Sequence, residues 1–583
     1  MYLRRINHRQ ADGKRRGYWV LLESYRTDRG PRQRVVAYIG ESDEAGRLGI
    51  KQAAEGKDYY QEKLFKDEQE PEWVEVDIRK VRTERSLRFG DIFLAEDLMK
   101  RLQLDKLLEE LLVSTEESSR GRKAEIPYNI LSELLIISRF CEPSSELYIA
   151  EEFIKQSAVC EVLGIDEEKI YDNRLYRGLD KLIEQKEKLQ QRLKERLGEL
   201  FEIKYDILLY DVTSTYFEGV AEENPKAQRG YSRDSRGDCK QVCIGLVVTK
   251  EGIPIGYEVF EGNRHDSKTV EEIIEKMERV YGKTDRVWIM DRGMISKGNM
   301  EILKAEGRRY IIGTPKSGLK KLEQELLKED WQKVYEGLEV KICREKEGET
   351  EEVYILCRSR MRKEKDKGIT ERFIERIQEG LEKYQKQCKE GRIKNKSIID
   401  KRIGRLLQRN QRASGLFEIK TETMSEGRLE INWEIKKDKK EFSELTQGCY
   451  MLRSNITDWS GEELWRAYIQ LTDAEEAFKI HKNDLQLRPV FHQKQHRVEA
   501  HILVCFLAYV LWKSLSQMCK RAGLGNEPRK VVQEMRRIIL NDVILPTRNG
   551  NEIRLRCVTQ PDKHLSILME RLKIRMPQRW SNN

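Results

Sequence analysis

Two aspartates and one glutamate stand where carboxylates can work on phosphate esters. Asp211 follows Ile207-Leu208-Leu209-Tyr210, a short apolar run without Gly or Pro, as expected for a strand covered on both faces. A carboxylate is costly to bury unless it is paired or binds a cation, so an Asp at the exit of such a strand needs a reason. For an isolated Asp that reason would be an Asx turn or a helix cap. Asp211 is not isolated, because Val287-Trp288-Ile289-Met290 ends in Asp291 and then Arg292-Gly293. Two strands therefore deliver two carboxylates to what reads as one sheet edge. The third candidate, Glu475, is spaced by seven from both Tyr468 and Lys482. That spacing turns a helix through about 700° and places the three side chains on one face. Its neighbour Glu476 reads as an ordinary solvated residue. Three carboxylates suit hard cations such as Mg²⁺. Two such ions about 4 Å apart can activate a water or a 3′-hydroxyl and stabilise the leaving oxygen in phosphodiester cleavage.

The elements that must position these residues follow from the apolar pattern. Residues 1–80 read as a basic β-hairpin, with strands at Tyr18 to Leu22 and Arg34 to Ile39, and a polar, partly helical linker. Residues 81–202 read as a helical domain; Leu182, Leu189, Leu193, Leu197 and Leu200 keep helical spacing among Lys, Gln and Glu. The order β-β-β-α-β-α-β over 203–316 gives the first part of a mixed sheet with helices packed on it. Residues 317–445 interrupt that rhythm as a β-rich insertion carrying a basic helical arm, Thr370 to Arg412. The core resumes over 446–522, with a helix from about Gly461 to Gln486 that must stop near Leu487, because Pro489 disfavours helical geometry in Arg488. Residues 523–583 form an α/β tail. The fold class is α/β.

Composition bounds the function. The chain has 583 residues, enough for several domains, and its 36% charged residues suit many solvated helix faces. The longest apolar stretch, Ile502 to Trp512, is too short to span a bilayer and reads as a buried helix, and the first ten residues lack the apolar core of a signal peptide. A cytoplasmic, nucleoid-associated protein with no membrane partner is expected. Eleven scattered cysteines without a Cys-x-x-Cys pair indicate neither a disulfide framework nor a zinc ribbon. The net charge of +9 is uneven: residues 1–40 and 358–412 together carry +18, so the remainder is acidic. Basic charge concentrated in segments is the footprint expected for binding a phosphate backbone. A competing site is a zinc centre from His492, His496, His501 and Cys505, whose spacings a helix could bring together.

At these residues the sequence resembles the DDE-type insertion-sequence transposases, which have a ribonuclease H-like core and a β-strand insertion between the second Asp and the Glu. The matching pieces are Tyr210-Asp211-Val212-Thr213, Gly230-Tyr231-Ser232-Arg233-Asp234, Gly262-Asn263 with Asp266-Ser267-Lys268-Thr269, Asp291-Arg292-Gly293, and Glu475 with Phe478 and Lys482. Arg488-Pro489-Val490-Phe491-His492 with Arg497 and His501 extends the match. The resemblance implies that Asp211, Asp291 and Glu475 are catalytic ligands of two Mg²⁺ ions, with Mn²⁺ able to substitute. It implies DNA contacts at Tyr468, Lys482 and Arg488. In the family pattern a Tyr, an Arg, the Glu and a Lys recur as Y-x2-R-x3-E-x6-K; the Arg position is Leu471 here, and Arg466 or Arg488 would have to substitute. The implied reaction is cleavage at transposon ends and strand transfer into target DNA, in cut-and-paste transposition. The implied partners are double-stranded DNA, as terminal inverted repeats and target, and a second copy of the chain in the DNA complex. A catalytically silent DNA-binding derivative and a nuclease of the same fold are the alternatives.

Overall fold

The structure is a computed structural model that describes residues 2–9, 15–27, 30–40, 74–118, 124–283, 286–347, 350–424 and 429–580. The polar linker expected before residue 80 lies mostly outside the described residues. The chain divides into two compact units, residues 1–284 with 472–583, and residues 285–471. The α/β class with a mixed sheet and a helical N-terminal domain, as read from the sequence, is the one observed.

The first unit opens with a three-stranded antiparallel sheet of Tyr2–Arg9, Arg15–Thr27 and Gly30–Gly40. The helical domain follows. Helices Asp172–Ile183 and Lys186–Phe201 bury Leu175, Leu179 and Leu182, and Leu189, Leu193 and Leu197, because apolar residues three and four apart line one face of a helix. Tyr128–Cys141 and Asp172–Ile183 pack on the long helix Gln495–Arg521. That helix is long and apolar enough to cross a membrane, but 89% of its most apolar window is buried inside the protein, so it is a core helix. Next come strands β1 (Ile207–Tyr216), β2 (Gln241–Thr249) and β3 (Pro254–Glu261), paired antiparallel in sequence order. Helix Val270–Tyr281 follows them.

A third sheet in this unit pairs the tail hairpin Ile539–Pro546 and Glu552–Val558 with Arg82–Arg88. Arg82–Arg88 carries too much charge to read as a strand. Arg82 is matched across it by Glu552 at 2.9 Å, and Arg554 by Glu84 at 2.5 Å. Gly90 is fixed by the same junction, since a Cβ there would stand 2.2 Å from the Met535 carbonyl oxygen.

In the second unit β4 (Val287–Met290) and β5 (Arg309–Gly313) run parallel, joined by helix Lys297–Lys304. Strands β6 (Gln332–Tyr335), β7 (Leu338–Glu347), β8 (Thr350–Ser359) and β9 (Cys449–Ser454) extend the sheet antiparallel in the order β6-β7-β8-β9-β5-β4. Mixed pairing is thus present within this unit alone. The stretch read as an insertion therefore divides in two. Its first strands belong to this sheet, while helices Arg360–Lys389 and Lys396–Arg409 with the hairpin Phe417–Thr423/Leu429–Ile435 close around a separate core that includes Ile377, Leu381, Ile399, Phe417 and Ile431.

The helix expected from Gly461 to Gln486 is segmented. It runs as Gly461–Ile469, then Leu471–Lys479, then a π-helical turn at Ile480–Asp484. A Ser460/Glu463 capping box starts it by satisfying two otherwise orphaned backbone donors. A π turn inserts an extra residue per turn, so the seven-residue spacing from Glu475 to Lys482 does not keep a strict α-helical register.

Candidate active site

Asp211 lies within β1 rather than at its exit, opposite Leu246 of β2. The strand continues because Val212-Thr213-Ser214-Thr215 is rich in β-branched residues that suit a pleated sheet. Tyr210 and Val212 on either side are buried, and the Asp211 carboxylate is half-buried, accepting from the Val212 amide at 2.8 Å. Below it the Tyr210 hydroxyl donates to Thr269 at 2.7 Å.

Asp291 directly follows the fully buried β4 and opens a 3-10 turn, Arg292–Met294. The Tyr468 hydroxyl donates to its Oδ1 at 3.4 Å, and both residues belong to the second unit. Burial, then the Asp291 charge, raises the Tyr468 pKa above its usual value, so the group is a hydroxyl donor at neutral pH. The contact depends on Gly313 of β5, where a Cβ would stand 2.3 Å from the Tyr468 oxygen.

Glu475 and Glu476 are both exposed on Leu471–Lys479, and their surroundings differ. Glu476 lines a cleft of about 290 Å³ with Lys479, Trp512, Lys513 and Pro528. Its charge helps to hold the proton on Lys513, whose pKa burial lowers. Consecutive residues point about 100° apart on a helix, so Glu475 leaves that cleft.

Lys482 and Arg488 converge on Asp234, a residue of the loop after β1. Asp234 Oδ1 accepts from Lys482 Nζ at 2.8 Å and from the Arg488 guanidinium. Beside them Arg233 grips both oxygens of Asp266 at 2.5 Å. In sequence Asp234 is only the last residue of Gly230-Tyr231-Ser232-Arg233-Asp234. Its partner Lys482 is 248 residues away, a separation that leaves no local signal. Leu471, at the family's Arg position, is buried, whereas Arg466 pairs with Glu462 at 2.7 Å on its own helix. Of the two candidate substitutes, Arg488 is the one beside Lys482.

The structure rearranges the alternative zinc set. His492 and His501 come together with Glu146, their donor atoms lying within 4.8 Å of one another, while His496 pairs with Asp180 at 3.2 Å. Cys505 Sγ is 3.9 Å from His501 Nε2. Hydrogen-bonding groups surround this cluster: His492 meets Glu146 at 3.3 Å, His501 Nε2 the Leu487 carbonyl at 3.3 Å, and His501 Nδ1 the Arg139 guanidinium at 3.5 Å. An adjacent guanidinium disfavours a second cation. All eleven cysteines are free.

Asp211, Asp291 and Glu475 offer only oxygen donors. Carboxylate oxygens are the donors that hard divalent cations prefer, so in chemical type these residues suit such an ion.

Comparison with known proteins identifies the family. A family model described as "Transposase DDE domain" matches residues 202–511, and one described as "IS1634 family transposase, N-terminal domain" matches residues 3–70. No curated protein matches the chain significantly. A solved structure titled "Cryo-EM structure of piggyBac transposase synaptic complex with hairpin DNA" aligns over 80% of this chain and 82% of its own, at 8% identity and a TM-score of 0.35, too low to carry an argument. The DDE model spans more than half of the 583 residues and contains all three carboxylates, and the second model covers the N-terminal sheet, so the chain belongs to the DDE transposases of insertion sequences.

Proposed function

We propose that this transposase cleaves DNA at the ends of its element and joins the freed 3′-hydroxyls to target DNA, with Asp211, Asp291 and Glu475 as the catalytic carboxylates. The observation that carries the reading is the bond from Tyr468 to Asp291: the Tyr that the family pattern places seven residues before the Glu meets the second Asp. The three carboxylates would hold two Mg²⁺ ions, with Mn²⁺ as a substitute; when bound, such ions activate the attacking oxygen and stabilise the leaving one. Tyr468 orients the Asp291 carboxylate through its hydroxyl. Lys482 and Arg488 bind backbone phosphate close to the scissile strand. The N-terminal sheet and helical domain read the terminal repeats, and the basic helices Arg360–Lys389 and Lys396–Arg409 contact flanking DNA. Joining two ends in concert calls for two protomers on the DNA, in the cytoplasm with the nucleoid.

The test is a Mg²⁺-dependent cleavage and joining assay on the DNA ends that flank the gene. Glu475→Gln is expected to abolish both steps and retain DNA binding, while Glu476→Gln keeps both. An inactive Glu476→Gln beside an active Glu475→Gln would overturn the assignment of the third carboxylate. Wild-type protein that binds the ends and never cuts them would support a silent DNA-binding protein instead.

A further inference from the structure

We propose that Asp234 is a positioning residue that sets Lys482 and Arg488 side by side as a preformed two-pronged clamp for one DNA phosphate. The inference rests on the reading of those two cations as DNA contacts. Three observations support it. The Asp234 side chain is 3% exposed, and a single oxygen, Oδ1, takes both cations. Its other oxygen, Oδ2, is buried without a hydrogen-bond partner. The loop carrying it is itself fixed, since the Ser232 hydroxyl accepts from the amides of Asp234 at 3.3 Å and Arg236 at 3.0 Å.

The charge balance points outward. Two cations on one carboxylate leave an excess of one positive charge, and a half-satisfied buried carboxylate is a costly way only to tie a loop to a helix. A phosphate oxygen arriving opposite Asp234 completes the balance. Lys482 also needs its partner to stay charged. Burial lowers its pKa first, Arg488 and Arg233 add repulsion, and Asp234 opposes both. Arg233 is engaged by Asp266 and Arg488 has a second contact, to Asn483 at 3.1 Å, so Lys482 depends most on Asp234.

The experiment uses the full chain as wild type, Asp234→Asn, Lys482→Met, Arg488→Gln and the pairwise doubles. Binding to a duplex carrying the flanking DNA end is titrated with salt and from neutral to alkaline pH, beside thermal melting. Asp234→Asn is expected to weaken binding roughly tenfold and to flatten the logarithmic salt slope by about one phosphate contact. Its alkaline loss of binding should begin at lower pH than in wild type, because Lys482 then releases its proton earlier. That pH shift should vanish when Lys482→Met is added, and the affinity losses of Asp234→Asn and Lys482→Met should not add. Wild-type affinity, slope and pH limit in a folded Asp234→Asn, or additive losses, would overturn the proposal. If Asp234→Asn fails to fold, the Lys482→Met/Arg488→Gln cycle decides: one shared phosphate demands non-additive losses, and additive ones reject it. If neither cation variant changes binding, the DNA-contact reading itself has failed. If both weaken binding while folded Asp234→Asn does not, only the role of Asp234 has.

Discussion

Tyr468 reaches Asp291 because residue 313 has no side chain. Gly313→Ala would set a methyl group 2.3 Å from the Tyr468 oxygen and push the hydroxyl off the carboxylate. The expected result is a fall in DNA cleavage of roughly tenfold to a hundredfold, the range for losing one hydrogen bond to a charged group. Tyr468→Phe should fall as far, and the double variant little further. A Gly313→Ala protein that cleaves normally would show that the contact has no catalytic part. The strands that carry Asp211 and Asp291 were legible, because each aspartate follows a short apolar run without Gly or Pro. The position of Asp211 inside its strand was not, because the apolar run stops at Tyr210 while the β-branched Val212 to Thr215 carries the pairing on. The Asp234 clamp was invisible, since charge pairs formed across hundreds of residues leave no periodicity.

In helix Tyr128–Cys141 the buried Glu133 has its pKa pushed up to about 7, first by burial and then by Asp105, Glu96 and Glu109. A carboxyl whose folded pKa exceeds its unfolded one binds more protons when folded. Its contribution to stability is therefore present at acid pH and lost as pH rises from 4.5 through about 7. Glu133→Gln should stabilise the protein above pH 7 by about 3 kcal/mol and give little gain near pH 4.5, measured by chemical unfolding at both. A constant difference across that range would contradict the assignment. The helices and hairpin that follow β8 have a separate core, and the Ser359 amide meets the Gly448 carbonyl at 3.1 Å. Replacing residues 362–445 with a short Gly/Ser turn should leave the β8-β9 pairing and a cooperative melt. End binding should weaken, with a salt slope shallower by about 0.9 for each phosphate that this arm had neutralised. The segmented 461–484 helix was beyond sequence reading. Apolar periodicity runs smoothly across Gln470 and into the π turn, and one residue of slip costs the pattern nothing visible.

At the scale of the molecule the uneven charge was plain in the sequence. The division into two units was not plain, because the chain crosses between them twice and the second unit lies inside the first in sequence. The sheet that joins Arg82–Arg88 to the tail hairpin has a consequence for how the protein comes into being. Arg82 and Glu552, paired across it, are 470 residues apart along the chain. During synthesis the Arg82–Arg88 strand must wait for its ladder partner Ile539–Pro546, which the ribosome delivers hundreds of residues later, and the Gln495–Arg521 helix that fills the helical domain arrives almost as late. Completion of the first unit is thus a late event in translation, with the apolar faces of Tyr128–Cys141 and Asp172–Ile183 exposed to chaperones in the interval.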